Sequence, residues 1–153
     1  DWRNNKKIRK WMDNKKIISF KVHQTFIKKL KIKKNSLYFL VSKNKKNLAV
    51  FNINEIKNKR GKIGYLISPN LKNQIISFEI IYHCLLLCFN KLNLDRIYGY
   101  SLKTNKGANF LNKQFQINLK KYKNKCYGYL NKKKWKKNVE KNQKILNYLK
   151  LLK

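Results

Sequence analysis

Hydrophobic and polar positions change period several times along this chain, and the changes mark its elements. Ile8, Trp11 and Met12 share one side of a short helix over 6–12. Ser19 reads as the N-cap of a helix over 20–31, where Phe20, Val22, Phe26, Ile27 and Leu30 recur at helical spacing. Strand-like runs follow at 37–42 (LYFLVS), 48–56 and 62–68 (KIGYLIS). Residues 44–47 (NKKN) and 57–61 read as the turns between them, and Pro69-Asn70 ends the third run. An apolar helix over 78–92, a strand over 96–102 and a short helix over 106–113 come next. Residues 117–130 hold two short strands around a turn near 123–125.

The third and fourth strands flank a helix, and a link of that length implies parallel pairing with a right-handed crossover. The order αα-βββ-α-β-α-ββ-α predicts an α/β (α+β) chain with a mixed sheet and helices on both faces. With 153 residues and 42% apolar content, it has enough material for one sizeable core. Residues 1–131 form the expected domain. Residues 132–153 read as a basic helical C-terminal tail carrying Trp135, Val139, Ile145, Leu146 and Leu149; it either docks on the domain or lies on an anionic surface.

Charge changes the picture. Lys and Arg total 39 against 6 Asp and Glu, a net charge of +33. Four of the cations are Arg, namely Arg3, Arg9, Arg60 and Arg96. Two readings stay open. A field of this sign attracts nucleic acid, an anionic membrane or anionic small molecules. The excess of Lys, Asn and Ile over Gly, Ala, Pro and Arg also matches compositional drift in an AT-rich coding sequence. Arg forks and exposed aromatics, the marks of a sequence-specific nucleic-acid reader, do not stand out.

Cys84 and Cys88 lie four apart in the apolar helix, the spacing of one buried face, and Cys126 stands alone. No second Cys/His pair stands at ligand spacing, so no metal is expected. A reducing cytoplasm fits this usage. Ile75–Phe89 is too short and too interrupted to span a bilayer, and no signal peptide is visible. The abrupt opening at Asp1 reads as a fragment or a processed form.

The segment from the third strand through 70–77 into the apolar helix has the form of an anion site. The first N–H groups of a helix have no partner within it and point at whatever precedes it.

In this order the elements resemble the GNAT superfamily of acyl-CoA N-acyltransferases, over roughly residues 1–130. Several motifs carry the likeness. WRNN…IRKWM, then Ser19, Phe20 and His23 as a Ser-Phe-x-x-His motif, then LYFLV, resemble the amino-sugar branch. That branch includes the N-acetyltransferases of pseudaminic acid biosynthesis, which act on a UDP-linked amino sugar. IGYLISPN (Ile63–Asn70) is similar to the family's central strand. Asn105, Ala108, Leu111 and Asn112 match its N-x-x-A/S-x-x-L-N pattern. The resemblance implies that the family's first strand lies upstream of Asp1.

It also implies a pyrophosphate loop of pattern Q/R-x-x-G-x-G/A, here Lys72, Asn73, Gln74, Ile75, Ile76 and Ser77. Lys72 keeps a cation. Ile75 replaces the first glycine and Ser77 the second small residue. A β-branched residue in a tight turn resists positive φ and blocks close approach, so the loop is expected to be degenerate. Ala49 and Gln116 stand at two further positions where the family often has glycine.

The implied activity is transfer of acetyl from acetyl-CoA to the amino group of a nucleotide-linked amino sugar. Backbone N–H groups near Leu66, Ile67 and Ser68 would hold the thioester carbonyl, and Asn105 and Asn112 would contact the cofactor. Asn112 stands where many members carry a catalytic Tyr. Glu55, one of few carboxylates, is the candidate general base, although its Lys neighbours should lower its pKa. Trp11, His23, Tyr38 and Tyr65 are the candidate substrate-binding residues; each also reads as an ordinary packing residue. A homodimer stays open. The alternative is a non-enzymatic GNAT-like domain serving as a basic nucleic-acid or ribonucleoprotein component.

Overall fold

The computed structural model describes residues 2–71 and 73–151. After a single turn at Trp2–Asn4 come α1 (Lys6–Arg9), α2 (Phe20–Ile32), β1 (Leu37–Lys43), β2 (Lys46–Lys57) and β3 (Arg60–Ile67). Then follow α3 (Gln74–Leu86), β4 (Arg96–Leu102), α4 (Lys106–Gln114), β5 (Asn118–Tyr122), β6 (Lys125–Asn131) and α5 (Lys132–Leu151). A π turn, Leu87–Lys91, continues α3.

Among the described residues the strands form one six-stranded mixed sheet, ordered β1-β2-β3-β4-β6-β5. The β3–β4 pair is parallel, as the crossover through α3 requires, and the other neighbours are antiparallel. The hairpin turns form without glycine. Asn44-Lys45 and Asn58-Lys59 take positive φ (50° and 59°, 48° and 54°), the geometry of type I′ turns. Asn leads each pair because it tolerates that region best after Gly.

Among the boundaries that differ from the expectation, two bear on the site. α1 ends at Arg9 rather than at 12. α3 begins at Gln74 rather than at 78, because the Asn73 side chain accepts the N–H of Ile75 at 2.8 Å and caps the helix early. Residues 74–77 are therefore the first helical turn and not part of a loop.

One face of the sheet carries the core. Ala49, Phe51 and Ile53 of β2, Ile97 of β4 and Leu130 of β6 pack with Phe78, Ile81 and Leu85 of α3. α5 belongs to the same core: Trp135 and Leu146 are buried, and Trp135 stacks on Phe89 at 5.7 Å. The helix expected as a tail therefore docks along its apolar side. The opposite face receives the N-terminal segment, with Phe26 edge-on to Tyr38 at 5.7 Å and Asp13 paired to Lys125 at 3.0 Å.

The feature that positions the site is a split in the sheet. β3 and β4 pair only at Arg60↔Arg96, Gly61↔Ile97 and Lys62↔Tyr98. Beyond that both strands continue, to Ile67 and Leu102, without pairing each other. Gly99 permits the close approach at the fork, since a Cβ there would stand 2.9 Å from the carbonyl oxygen of Ile63.

Candidate active site

Past the fork the sheet opens into two clefts. The smaller, about 280 Å³, runs from Asn52, Asn54, Lys62, Tyr98 and Tyr100 through the gap to Asn112 on α4. The larger, about 710 Å³, is lined by Leu66, Ile67 and Ser68, by Gln74 and Ser77 in the first turn of α3, and by the start of α4. Trp11, Met12, Tyr65, Asn105 and Ala108 line both clefts, so the two meet at those side chains.

The backbone along β3 corrects one expectation. The Ser68 N–H donates to the Leu48 carbonyl at 2.8 Å and is not free for a thioester. Direction alternates along an antiparallel ladder, so Leu66, opposite Val50, also turns its N–H toward β2. Tyr65 and Ile67 turn theirs toward the split. Of the expected trio, only Ile67 aims its backbone N–H at the cleft, and Tyr65 joins it.

The expected phosphate loop is corrected too. Lys72 lies outside the described residues. Gln74 and Ser77 reach the larger cleft, while Asn73, Ile75 and Ile76 do not line it. Ile76 packs against the core. Ile75 is helical and takes no positive φ, so the strain expected of a β-branched residue in a tight turn does not arise. What it does bring is a branched side chain on the helix end, beside an N–H already capped by Asn73.

Asn105 caps α4 by accepting the Ala108 N–H at 3.2 Å, and its side chain stands at the junction of the clefts. The Asn112 carbonyl accepts the Ile117 N–H at 2.9 Å, leaving its side chain to the smaller cleft. Trp11 lies where the two clefts meet. His23 and Tyr38 line neither cleft. His23 is exposed on α2, its ring 6.3 Å from Phe26. Tyr38 accepts from the Asn54 amide at 3.3 Å, one residue away from the cleft wall.

Glu55 sits on a bulge where the β2–β3 register shifts, at φ 56°. Such a conformation is uncommon outside Gly, Asn and Asp. It directs the carboxylate to Lys62 Nζ at 3.0 Å and to the Tyr98 hydroxyl at 2.9 Å, both on the rim of the smaller cleft. The hydrogen bond from Lys62, and then that from Tyr98, hold its carboxyl below the usual value.

Two groups at the site were not foreseen as reactive. The Tyr65 hydroxyl is buried with no hydrogen-bond partner among the described residues, and burial pushes its pKa up. Asp13 accepts from the Tyr100 hydroxyl and from Lys125 (3.0 Å), and these bonds, Tyr100's first, lower its pKa. The signal available in the sequence was scarcity: with 6 acids in the chain, each one near a strand end deserved a partner search. Among the described residues no group of three or more His, Cys, Asp and Glu is placed to hold a metal.

No protein-family model matches the sequence, and no curated protein matches it. Solved structures do. The Campylobacter jejuni N-acetyltransferase PseH in complex with acetyl coenzyme A is 26% identical, over 73% of this chain and 79% of that one, with a TM-score of 0.68. The Vibrio cholerae spermidine N-acetyltransferase in complex with CoA and spermine is 18% identical over 88% of each chain, with a TM-score of 0.79. Mycobacterium smegmatis RimJ in complex with CoA-disulfide is 11% identical over 80% of this chain and 66% of that one, with a TM-score of 0.70. With the strand order, the split sheet and these neighbours together, the chain has the fold of the GNAT acyltransferases.

Proposed function

We propose that the chain is an N-acetyltransferase that takes acetyl from acetyl-CoA and places it on the amine of a nucleotide-linked amino sugar. The observation that supports this reading is the meeting of two clefts at Tyr65, across a split that frees backbone N–H groups. Acetyl-CoA fits the larger cleft, with the pantetheine arm along Leu66–Ser68 and the pyrophosphate near Gln74 and Ser77. The acceptor enters by the smaller cleft.

Acetyl transfer needs a neutral amine, a polarised thioester carbonyl and a proton for the departing thiolate. The N–H groups of Tyr65 and Ile67 face the carbonyl. Glu55 takes one proton from the acceptor's ammonium group through water and leaves the neutral amine, whose second proton is then available to the thiolate; its lowered pKa keeps Glu55 ionised but makes it a weak base. The Tyr65 phenol, its pKa raised by burial, gives up its proton reluctantly. Its role is a hydrogen bond to the sulfur as charge develops there, and the sulfur's proton comes from the attacking amine. Asn112 stands beside this path and orients the acceptor.

Charge supports the choice of acceptor. Lys62 lines the smaller cleft and Lys125 pairs with Asp13 on its wall, each already neutralising a carboxylate, within a chain of net charge +33. This field opposes a polyamine and suits a diphosphate-linked sugar. The reading places the enzyme in the cytoplasm, where acetyl-CoA is available and where Cys84, Cys88 and Cys126 stay thiols. No helix among the described residues is long and apolar enough to cross a membrane. The test is CoA-thiol release with a panel of amines. Turnover with a UDP-linked 4-amino sugar and none with spermidine supports the proposal; the reverse preference overturns it.

A further inference from the structure

The sheet face opposite the core is only partly covered. Its β4-β6-β5 half carries a row of aromatic rings: Tyr98 and Tyr100 at its inner end border the smaller cleft, while Tyr122, Tyr127 and Tyr129 lie outside both clefts. Register puts Tyr98 opposite Tyr129 and Tyr100 opposite Tyr127, so these four rings share one face. Ile97 and Leu130, at the alternate positions, point into the core. The Tyr100 and Tyr127 rings lie 5.6 Å apart. Toward the free edge the face opens, with Tyr127 43% and Tyr129 44% exposed, and with Tyr122 more exposed still.

Cations are interleaved with these rings. The Arg96 guanidinium lies 5.3 Å from the Tyr129 ring and Lys123 Nζ 5.6 Å from that of Tyr122. Lys120 stands opposite Tyr127 in the β5–β6 ladder and is exposed. The acids near this face, Asp13 and Glu55, are already engaged by Lys125 and Lys62. A flat row of π-faces with cations between them is the chemistry that holds an unpaired strand, bases on the rings and phosphates on the cations. A second copy of the chain is a poor occupant, because it brings the same net charge of +33.

We propose that the open face of β4, β6 and β5 binds single-stranded nucleic acid, with bases stacked on Tyr127 and Tyr129 and phosphates held by Arg96, Lys120 and Lys123. This site is separate from the acetyl-transfer clefts and does not depend on their function. It also adds to the sequence reading, in which exposed aromatics do not stand out. The rings are spread over two strands and align only when β4 and β6 pair.

The difficulty is that a chain so basic attracts any polyanion. The test therefore compares strands of equal charge. A fluorescent single-stranded oligouridine and an abasic strand with the same number of phosphates are titrated with the intact chain at about 150 mM salt. The proposal predicts that oligouridine binds about 10- to 100-fold tighter than the abasic strand. The double substitution Tyr127→Ala with Tyr129→Ala brings the two strands level without changing the salt dependence, whereas Tyr127→Phe with Tyr129→Phe keeps the difference. Equal binding of the two strands by the intact chain overturns the proposal. So does an oligouridine preference that survives the alanine substitutions, or a dimer in sedimentation that those substitutions dissociate. The comparison of strands on the intact chain needs no variant to fold.

Discussion

The side-chain oxygen of Asn73 accepts the backbone N–H of Ile75 at 2.8 Å. That N–H is one of those a helix end offers to an anion, so the protein's own cap occupies a position a pyrophosphate oxygen would take. Asn73→Gly removes the capping oxygen and leaves that N–H to an anion. CoA affinity should tighten by about 10-fold, while stability falls by only about 0.3 kcal/mol, the usual cost of replacing an Asn cap by Gly. Calorimetry and thermal melts on the same variant check both parts. An unchanged affinity would place the pyrophosphate elsewhere.

Tyr65→Phe separates chemistry from binding. If the buried hydroxyl hydrogen-bonds the reacting group, kcat should fall by about 100-fold with KM for acetyl-CoA little changed. Stability should hold or rise by about 1 kcal/mol, since the substitution removes an unsatisfied buried hydroxyl. Steady-state kinetics beside a denaturant titration reads both. An equal loss of kcat and stability would make Tyr65 a packing residue only.

The order of elements was legible because the short apolar, strand-forming runs at 37–42 and 62–68 and the apolar helix after 78 are strong local signals. What remained hidden depended on pairings between distant residues. The start of α3 moved because Asn73 caps it, which turned Ile75 from a strained turn residue into a helical one. The choice of free N–H groups on β3 depended on ladder direction, which a single strand does not reveal. His23 and Tyr38 matched their motifs yet stand outside both clefts, because α2 lies over β1 rather than at the split. Asp13 had no local pattern to mark it; its partners Tyr100 and Lys125 lie far along the chain.

Glu55 gives a pH prediction. Its folded pKa lies below the usual value, so its ion pair with Lys62 contributes above the unfolded pKa and is lost as pH falls through the folded one. The acid limb of the kcat profile should lie below the ordinary Glu range. Lys62→Met removes the largest cause of the shift and should move that limb upward. A pH–rate profile of the two proteins decides, and an unmoved limb would assign the base to another group.

Gln116 occupies the position after α4 at φ 53°. Its N–H donates to the Lys113 carbonyl and that of Ile117 to the Asn112 carbonyl, both at 2.9 Å, the pairing of a Schellman cap. Glycine normally fills that position, and a side chain there costs about 1 kcal/mol. Gln116→Gly should raise stability by that amount without altering activity, as read by a denaturant midpoint. A loss of stability would show that the Gln side chain is itself needed.

Acetyl-CoA binding tests the central claim most directly. Calorimetry at about 150 mM salt screens non-specific attraction to the CoA phosphates. The nucleotide portion of CoA without its pantetheine arm serves as the competitor. The account predicts saturable one-to-one binding that depends on the pantetheine arm, because the larger cleft runs from the first turn of α3 along Leu66–Ser68 to Tyr65. No binding, or binding that the nucleotide portion alone reproduces and salt abolishes, would contradict it.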